Sequence, residues 1–308
     1  MKVGADQAKA MGDKSPCADN ILRENIVVIA AENHYNTFWT KMMFMAAGIA
    51  AAQGGGRVLR SAHRTTVCYA DYGYTRFEKL PLEALKNQGI QLVRVASAAD
   101  VVRAVNTRPE TVQGKRTCKY LVQDLVFFSH GLPGVIDLNY DSSPSIPLRE
   151  GTFNSMQKAA FVADGRVWSF ACRTGNGAAA IWNSFKNDEE ANPDGSLAQK
   201  IANHLGIEVH AFLTRSDYSP VIREYSDSER IATAVREGRV GHEGQVVDIP
   251  PEHEALPHPG LANGWFNGAR KEGTNEYALW RKHGARTMPV AASTPTGLTR
   301  ALRVFKPK

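Results

Sequence analysis

The stretch LVFFSHG, residues 125–131, decides the fold, because an uncharged apolar run ends there in a histidine and a glycine. Residues 125–128 are large and apolar, which is typical of a strand buried on both faces of a sheet. A second stretch of the same design, VWSFACRTG, occupies residues 167–175 and ends its apolar run at Cys172. Working residues of open α/β sheets gather at the carboxyl ends of the strands. We therefore expect His130 and Cys172 to lie on one edge of one sheet.

Strand-like and helix-like segments alternate around these two stretches. Apolar, β-branched runs predict six strands, at residues 26–30, 65–70, 90–95, 121–128, 166–171 and 207–213. Helices are predicted at residues 37–53, at 82–88 with Pro81 in the first turn, and at 98–105, 151–163 and 197–205. The last of these has Ser196 as N-cap, Gln199 as its capping-box partner and Gly206 at its end. The alternation predicts an α/β fold, a three-layer sandwich whose central, mostly parallel sheet of about six strands is flanked by helices.

The pattern divides the chain into three parts. Residues 1–24 are predicted to be a flexible leader, residues 25–215 the α/β domain, and residues 216–308 an irregular extension containing Pro and Gly. The extension ends in a basic stretch, because residues 270–308 hold nine Lys or Arg and two Glu. Such a tail would suit an acidic partner. Nucleic acid is not the expected ligand, because the sequence has no array of aromatic residues for stacking bases.

The cysteines and the apolar stretches indicate where in the cell the protein is expected. Cys17, Cys68, Cys118 and Cys172 contain no C-x-x-C pair and are too sparse for a disulfide scaffold. No membrane span is predicted, because the longest apolar stretch, residues 42–52, is too short to cross a bilayer. Residues 1–20 lack the apolar core of a signal peptide. We expect a reducing compartment, the cytoplasm of the producing cell, with export by a signal-independent route as the alternative. No cofactor and no metal site are predicted.

The predicted edge carries the residues that thiol chemistry needs. A base within hydrogen-bond reach of a cysteine is the arrangement required for nucleophilic catalysis, and the thiolate is the reactive form. Gly131 would let the backbone approach a substrate carbonyl, and Gly175 would permit a tight turn after Cys172. His34 follows the first predicted strand and could line the same cleft.

These motifs resemble those of the clan CD cysteine peptidases, which include caspases, metacaspases, gingipains and separases. Members carry Ser/Gly-His-Gly after one strand and Ala-Cys-x-x-Gly, or a close variant, after the next. Here FFSHG and ACRTG place the histidine 42 residues before the cysteine, and the segment SLAQKIANHLGIEVHAF resembles the one that follows the cysteine in bacterial members. The resemblance covers residues 100–215 closely and residues 25–100 by topology only.

The resemblance implies a caspase-like fold and a cysteine endopeptidase acting on a protein or peptide substrate. It gives His130 the role of general base and Cys172 that of nucleophile, with the N–H groups of Gly131 and Cys172 as the oxyanion hole. A solitary domain of this kind with a ragged tail also resembles bacterial effector or toxin modules.

Specificity does not carry over from the family, because Phe170 stands where caspases have Gln and Ala171 where metacaspases have Asp. Arg173, Arg215 and Asp217 are the candidates for the specificity pocket. Asp217 would favour a basic residue at the scissile bond and Arg215 an acidic one, and the sequence does not choose between them. Two other interpretations stay open. One is a non-catalytic binding or effector domain on the same scaffold, and the other is a Rossmann-like domain in which both motif residues are structural.

Overall fold

The structure is a computed structural model, and it describes residues 20–34, 41–113, 116–178, 183–221 and 288–308. Most of the predicted leader, and residues 222–287 of the predicted extension with part of its basic stretch, lie outside the described residues. The first strand begins within the predicted leader, at Ile21, and the described part of the predicted extension holds three short strands.

The regular elements alternate along the chain. In chain order the strands are β1 (Ile21–Ile29), β2 (Arg64–Tyr69), β3 (Gln91–Arg94), β4 (Glu110–Gln113), β5 (Arg116–Phe128), β6 (His130–Leu132), β7 (Val135–Asp137), β8 (Pro147–Leu148), β9 (Phe161–Ser169), β10 (Glu208–Phe212), β11 (Ser216–Asp217), β12 (Val290–Ala291) and β13 (Leu302–Phe305). The α-helices are α1 (Met43–Ala52), α2 (Arg76–Glu83), α3 (Ala98–Asn106), α4 (Glu150–Asn154) and α5 (Leu197–Leu205). Short 3-10 helices occupy Gly55–Arg57, Ala84–Gln88, Lys158–Ala160 and Pro193–Gly195.

The central sheet has the strand order β13-β10-β9-β5-β1-β2-β3, and β4 pairs with β5. The pairings from β10 through β9, β5, β1 and β2 to β3 are all parallel, whereas β4 and β13 pair antiparallel. The sheet is therefore mixed and mostly parallel, and helices flank it, which confirms the predicted α/β class. All six predicted strands belong to it, and their carboxyl ends share one edge.

The two middle strands are buried because helices cover them. Residues 26–29 of β1 and 125–128 of β5 are fully inaccessible, as expected for strands covered on both faces. Helix α1 packs directly on β1: Gly48 approaches the side chain of Ile29 so closely that a Cβ at this position would clash with it. The centre of the sheet, and with it the ends of β1 and β5, is therefore held rigidly by packing.

Two helix predictions differ from the structure. Residues 151–163 do not form one helix, because α4 ends at Asn154 and β9 begins at Phe161, where it pairs with Val122 of β5. Pro81 does not open a helix but lies inside α2, which starts at Arg76. Thr75 and Glu78 cap that helix reciprocally through their side chains and backbone N–H groups, a capping box the sequence analysis missed.

Helix α5 has the predicted boundaries but only half of the predicted cap. The Ser196 hydroxyl accepts the Gln199 N–H at 3.2 Å, and Gly206 follows the helix in the left-handed conformation. The Gln199 side chain does not return to the cap. Its amide donates instead to Asn203 Oδ1 and to the Lys306 carbonyl, next to strand β13. The helix is thereby tied to the strand at the edge of the sheet.

Cys118 is disulfide-bonded. Among the described cysteines, Cys68 and Cys172 are free thiols. Cys68 lies in β2 and is fully buried, and burial raises its pKa to about 12. Cys68 is therefore a thiol at neutral pH, which makes it a natural internal control for the reactivity of Cys172.

Candidate active site

Four neighbouring strands deliver polar side chains to one edge of the sheet. In the order of the sheet, β10 is followed by Ser216, β9 by Cys172, β5 by His130 and β1 by Glu32. The strands run parallel, so these residues emerge at the same, carboxyl edge. This is the position at which open α/β sheets place their working residues. His130 and Cys172 therefore lie at the same edge of the sheet, as predicted, because β5 and β9 are adjacent and parallel.

The backbones around His130 and Cys172 touch. The Phe170 N–H donates to the Phe127 carbonyl at 3.0 Å, which locks the ends of β9 and β5 together. Beyond them Gly131 packs on Cys172, since a Cβ on Gly131 would lie 2.6 Å from the Cys172 carbonyl oxygen and 3.0 Å from its nitrogen. Glycine is thus needed here for the close approach of two backbones rather than for the approach of a substrate. The contact brings together the two residues predicted to supply oxyanion donors.

The imidazole of His130 is held from several sides. Its Nε2 lies 2.6 Å from Oε2 of Glu32, a charge-assisted distance. The ring of Phe44, from α1, meets it edge to face with centroids 4.9 Å apart, and the ring of Tyr140 lies at the same distance. These contacts restrict rotation of the ring and fix which nitrogen faces the carboxylate.

Glu32 is the functional candidate that the sequence analysis missed. It follows β1 directly and is 0% exposed. One carboxylate oxygen contacts His130, and the other accepts the backbone N–H of His34 at 2.7 Å. A buried carboxylate is retained only when its oxygens are hydrogen-bonded, and both are. The available signal was an acidic residue directly after a buried strand on the predicted edge; the analysis noted His34 there instead. The half-exposed His34 ring lies beside the site, 6.1 Å from the ring of His130.

The sulfur of Cys172 has a second neighbour that was not predicted. Ser216, the first residue of β11, places its hydroxyl oxygen 3.2 Å from Sγ and donates its backbone N–H to Sγ at 3.3 Å. Cys172 itself is partly exposed, in contrast to the buried Cys68. Cys172 is therefore not sealed in the core as Cys68 is, and polar groups of β11 hold its sulfur in place.

A buried tyrosine, Tyr218, packs against residues next to the site. Tyr218 donates its hydroxyl to the Phe170 carbonyl at 3.2 Å, and its ring packs edge to face on Phe44. Burial, and next the electrostatic interaction with Cys172, hold the pKa of Tyr218 well above its usual value. The phenol therefore stays neutral and acts as a hydrogen-bond donor that fixes the end of β9.

The three predicted specificity residues lie after two neighbouring strands at this edge, Arg173 after β9 and Arg215 and Asp217 after β10. Arg173 directly follows Cys172, adopts a left-handed backbone conformation with φ +57°, and donates its N–H to the Thr214 carbonyl at 2.8 Å. Arg215 is exposed, and Asp217 lies in β11 and accepts the Ser219 N–H at 2.9 Å. Gly175 lies in the expected turn, which the Asn176 N–H closes by donating to the Arg173 carbonyl at 3.0 Å, but the left-handed residue is Arg173. Gly175 is needed for a different reason: a Cβ there would lie 2.8 Å from the ring of Phe305 in β13.

A groove lies along the hairpin that follows His130. It has a volume of about 380 Å³ and is lined by residues 132–135, Arg149, Gly177, Ala178 and Gly195. This volume falls within the range of small-ligand and peptide clefts. The lining includes neither His130 nor Cys172, although it begins two residues after His130 and five after Cys172 in the sequence.

The described residues show no group of three or more His, Cys, Asp or Glu side chains that could hold a metal ion. Within the same part of the chain, no helix is long and apolar enough to cross a bilayer.

Comparison with known proteins adds no assignment: no family model, no curated protein and no solved structure matches the chain.

Proposed function

We propose that this protein is a caspase-like cysteine endopeptidase in which Cys172 is the nucleophile and His130 the general base. The observation that carries the proposal is the meeting of the two motif residues at adjacent strand ends. Gly131 packs on the Cys172 backbone, and a buried carboxylate holds the imidazole. Nucleophile, base and a third group that orients the base form the constellation that covalent catalysis requires.

The chemistry begins at the sulfur. The Cys172 thiolate attacks the scissile carbonyl carbon, a C–S bond forms, and the carbonyl oxygen becomes an oxyanion next to the N–H groups of Gly131 and Cys172. Protonated His130 then gives its proton to the amine nitrogen, and the C–N bond breaks to release the amine and leave a thioester. Water attacks the thioester while His130 accepts its proton, and cleavage of the C–S bond releases the acid and restores the thiolate.

Glu32 acts as a positioning residue in this scheme. Because its Oε2 lies against Nε2 of His130, Nδ1 is the nitrogen that exchanges protons with the thiol and the amine. The carboxylate also stabilises the imidazolium that balances the thiolate charge. Cys172, His130 and Glu32 therefore work as a triad, although the motifs alone predict only a dyad.

In this proposal the groove along the β6–β7 hairpin holds part of the substrate chain. It extends from the β6–β7 hairpin towards Gly177 and Gly195. A chain in this groove would present one of its carbonyls to Cys172.

The test compares wild-type protein with Cys172→Ala on a mixed peptide library, with cleavage read by mass spectrometry. Cys68→Ala is the matched control, because Cys68 is the buried free thiol. Wild type and Cys68→Ala should cleave, and Cys172→Ala should not. The assay is run with and without mild reductant, since Cys118 is disulfide-bonded. Cleavage by Cys172→Ala, or none by wild type in either condition, would overturn the proposal.

Iodoacetamide labelling at neutral pH gives a second readout that needs no substrate. Cys172 should be alkylated much faster than Cys68, whose thiol is protonated at this pH. Equal, slow labelling of both would favour the alternative interpretation, a non-catalytic binding domain on the same scaffold.

A further inference from the structure

The sulfur of Cys172 is contacted by two hydrogen-bonding groups of one residue, Ser216. The backbone N–H of Ser216 donates to Sγ at 3.3 Å, and its hydroxyl oxygen lies 3.2 Å from the same atom. A backbone N–H can only donate, so the sulfur already serves as an acceptor. A thiolate carries no proton, so the hydroxyl donates to it as well. Both contacts are therefore stronger to the thiolate than to the thiol.

Strand pairing turns the N–H of Ser216 towards the sulfur. Strand β11 pairs with β12, and on that side Arg215 donates its N–H to the Thr294 carbonyl at 2.7 Å and accepts the Ala292 N–H at 2.8 Å. Successive residues of a strand direct their backbone groups to opposite edges, so the N–H of Ser216 faces the other way, towards Cys172. This donor is thus aligned by the fold and not by an adjustable side chain.

A second contact fixes how far Ser216 lies from the nucleophile. The N–H of Arg173, the residue after Cys172, donates at 2.8 Å to the carbonyl of Thr214, two residues before Ser216. Cys172 follows β9, which lies between β10 and β5 in the sheet. The sulfur therefore has Ser216 on its β10 side and His130 on its β5 side, so both residues can act on it at the same time.

We propose that Ser216 is a further catalytic residue, whose hydroxyl and N–H together stabilise the thiolate of Cys172. This inference rests on the proposed function and adds a residue to it. The thiolate is the nucleophile of the first step and the leaving group of the last, when the C–S bond of the thioester breaks and its electron pair returns to sulfur. Ser216 acts at both steps. A stabilised thiolate exists at lower pH but is intrinsically a weaker nucleophile, and these two effects have opposite signs.

The first test follows the alkylation of Cys172 by iodoacetamide from pH 5 to pH 10, in wild type and in Ser216→Ala. The sulfur forms a C–S bond and iodide leaves, so the rate reports the thiolate without any peptide. Below the midpoint of the curve Ser216→Ala should react roughly three- to tenfold more slowly, as expected for loss of a hydrogen bond to a charged group. At the high-pH plateau it should react at least as fast as wild type, because its thiolate is less stabilised. The two curves should therefore cross.

The other groups around the sulfur are the same in both proteins. Tyr218 stays protonated, because burial raises its pKa well above the usual value. The remaining charged or titratable side chains on the surrounding elements are Arg173, Arg215, Asp217, Glu32, His34 and His130. The substitution changes none of them, so the difference between the two curves belongs to the hydroxyl of Ser216.

Ser219→Ala is the matched control, because Ser219 lies three residues further along and its N–H donates to Asp217. It should leave the curve unchanged. Ser216→Thr keeps a hydroxyl and should keep the wild-type midpoint, and slow labelling of the buried Cys68 shows that the core of each variant is intact. A Ser216→Ala curve within twofold of wild type at every pH, or below it at every pH, would overturn the inference. So would a Ser216→Thr curve displaced as far as that of Ser216→Ala.

The second test separates this inference from the proposed function. In peptide cleavage Ser216→Ala should lower kcat roughly three- to tenfold and leave KM within twofold of wild type, since Ser216 contacts the sulfur. If peptides are cleaved but the alkylation curves of wild type and Ser216→Ala coincide, the inference fails and the peptidase stands. If no peptide is cleaved but the curves cross, the proposed peptidase fails while the stabilised thiolate stands.

Discussion

Replacing Glu32 by Gln is the most informative single change, because it removes one charge and almost no volume. In the structure Oε2 of Glu32 lies 2.6 Å from Nε2 of His130, and Oε1 accepts the His34 N–H. The amide oxygen of glutamine can keep the bond to His34. Its NH₂ group would then face Nε2 and donate to it, which selects the tautomer whose proton is on Nδ1.

The expected size of the Glu32→Gln effect follows from the burial of Glu32 and from its distance to His130. A charge-assisted hydrogen bond contributes roughly 1.5–3 kcal/mol net, and the carboxylate of this one is fully buried. Since about 1.4 kcal/mol corresponds to a factor of ten, the imidazolium–thiolate pair should lose about 10- to 150-fold in population. The alkylation rate of Cys172 at neutral pH should fall by that factor, because only the thiolate reacts.

The assay is the rate of alkylation by iodoacetamide between pH 5 and 9, followed at the Cys172 peptide by mass spectrometry. The difference between wild type and Glu32→Gln should be largest near neutral pH. It should shrink at high pH, where the thiol ionises without help from the imidazole. Peptide cleavage should fall in parallel if the proposed function holds.

The control is Glu24→Gln, a change of the same kind at the opposite edge of the sheet. Glu24 is also buried and forms an ion pair with Arg64 at 2.7 Å, so its replacement should lower the melting temperature. It should leave the reactivity of Cys172 unchanged. Alkylation of Glu32→Gln within twofold of wild type across the whole pH range would refute the positioning role of Glu32.

Three further changes test other parts of the structure. Gly131→Ala should reduce Cys172 alkylation at least tenfold and lower the melting temperature, because its Cβ would lie 2.6 Å from a backbone oxygen, whereas Gly151→Ala, with open space around it, should do neither; equal effects would contradict the packing argument. Arg173→Met should raise the melting temperature, because Nε and Nη1 of Arg173 are buried with no hydrogen-bond partner among the described residues, and a lower one would show that the guanidinium stabilises the fold. Burial lowers the pKa of His210, so the unfolded chain binds more protons below pH 6.5 and stability should fall with acidification there. His210→Gln should make the melting temperature less dependent on pH between 7.5 and 5.5, and an unchanged dependence would contradict this assignment.

Much of the fold was predictable because its signals are local. The runs at residues 26–30 and 125–128 are apolar on both faces, and only a covered strand can accommodate them. The α5 boundaries follow from Ser196 and Gly206, which act within one turn of the helix. The helix predicted at residues 151–163 is wrong for a non-local reason. Phe161 pairs with Val122, and no pattern within the segment encodes that partner.

The candidate site was predictable only in part, for the same reason. His130 and Cys172 each follow an apolar run, so both could be placed at a strand end from sequence alone. The partner of His130 is 98 residues away in Glu32, and the neighbour of Cys172 is 44 residues away in Ser216. Finding them requires the order of strands in the sheet, which the sequence analysis did not derive. The burial of the Arg173 side chain was not predictable for a similar reason, since burial depends on what packs around it.

The placement of one residue after each of four adjacent strands has a consequence for the timing of folding. Glu32, His130, Cys172 and Ser216 meet only when β1, β5, β9 and β10 have all paired, and each of those parallel pairings closes a long loop. Such non-local contacts form late and slowly. A chain still emerging from the ribosome at residue 200 has its thiol and its imidazole but lacks β10 and the serine that contacts the sulfur. Reactivity at Cys172 should therefore appear in a single step at the end of folding, and its recovery after dilution from urea would report completion of the sheet.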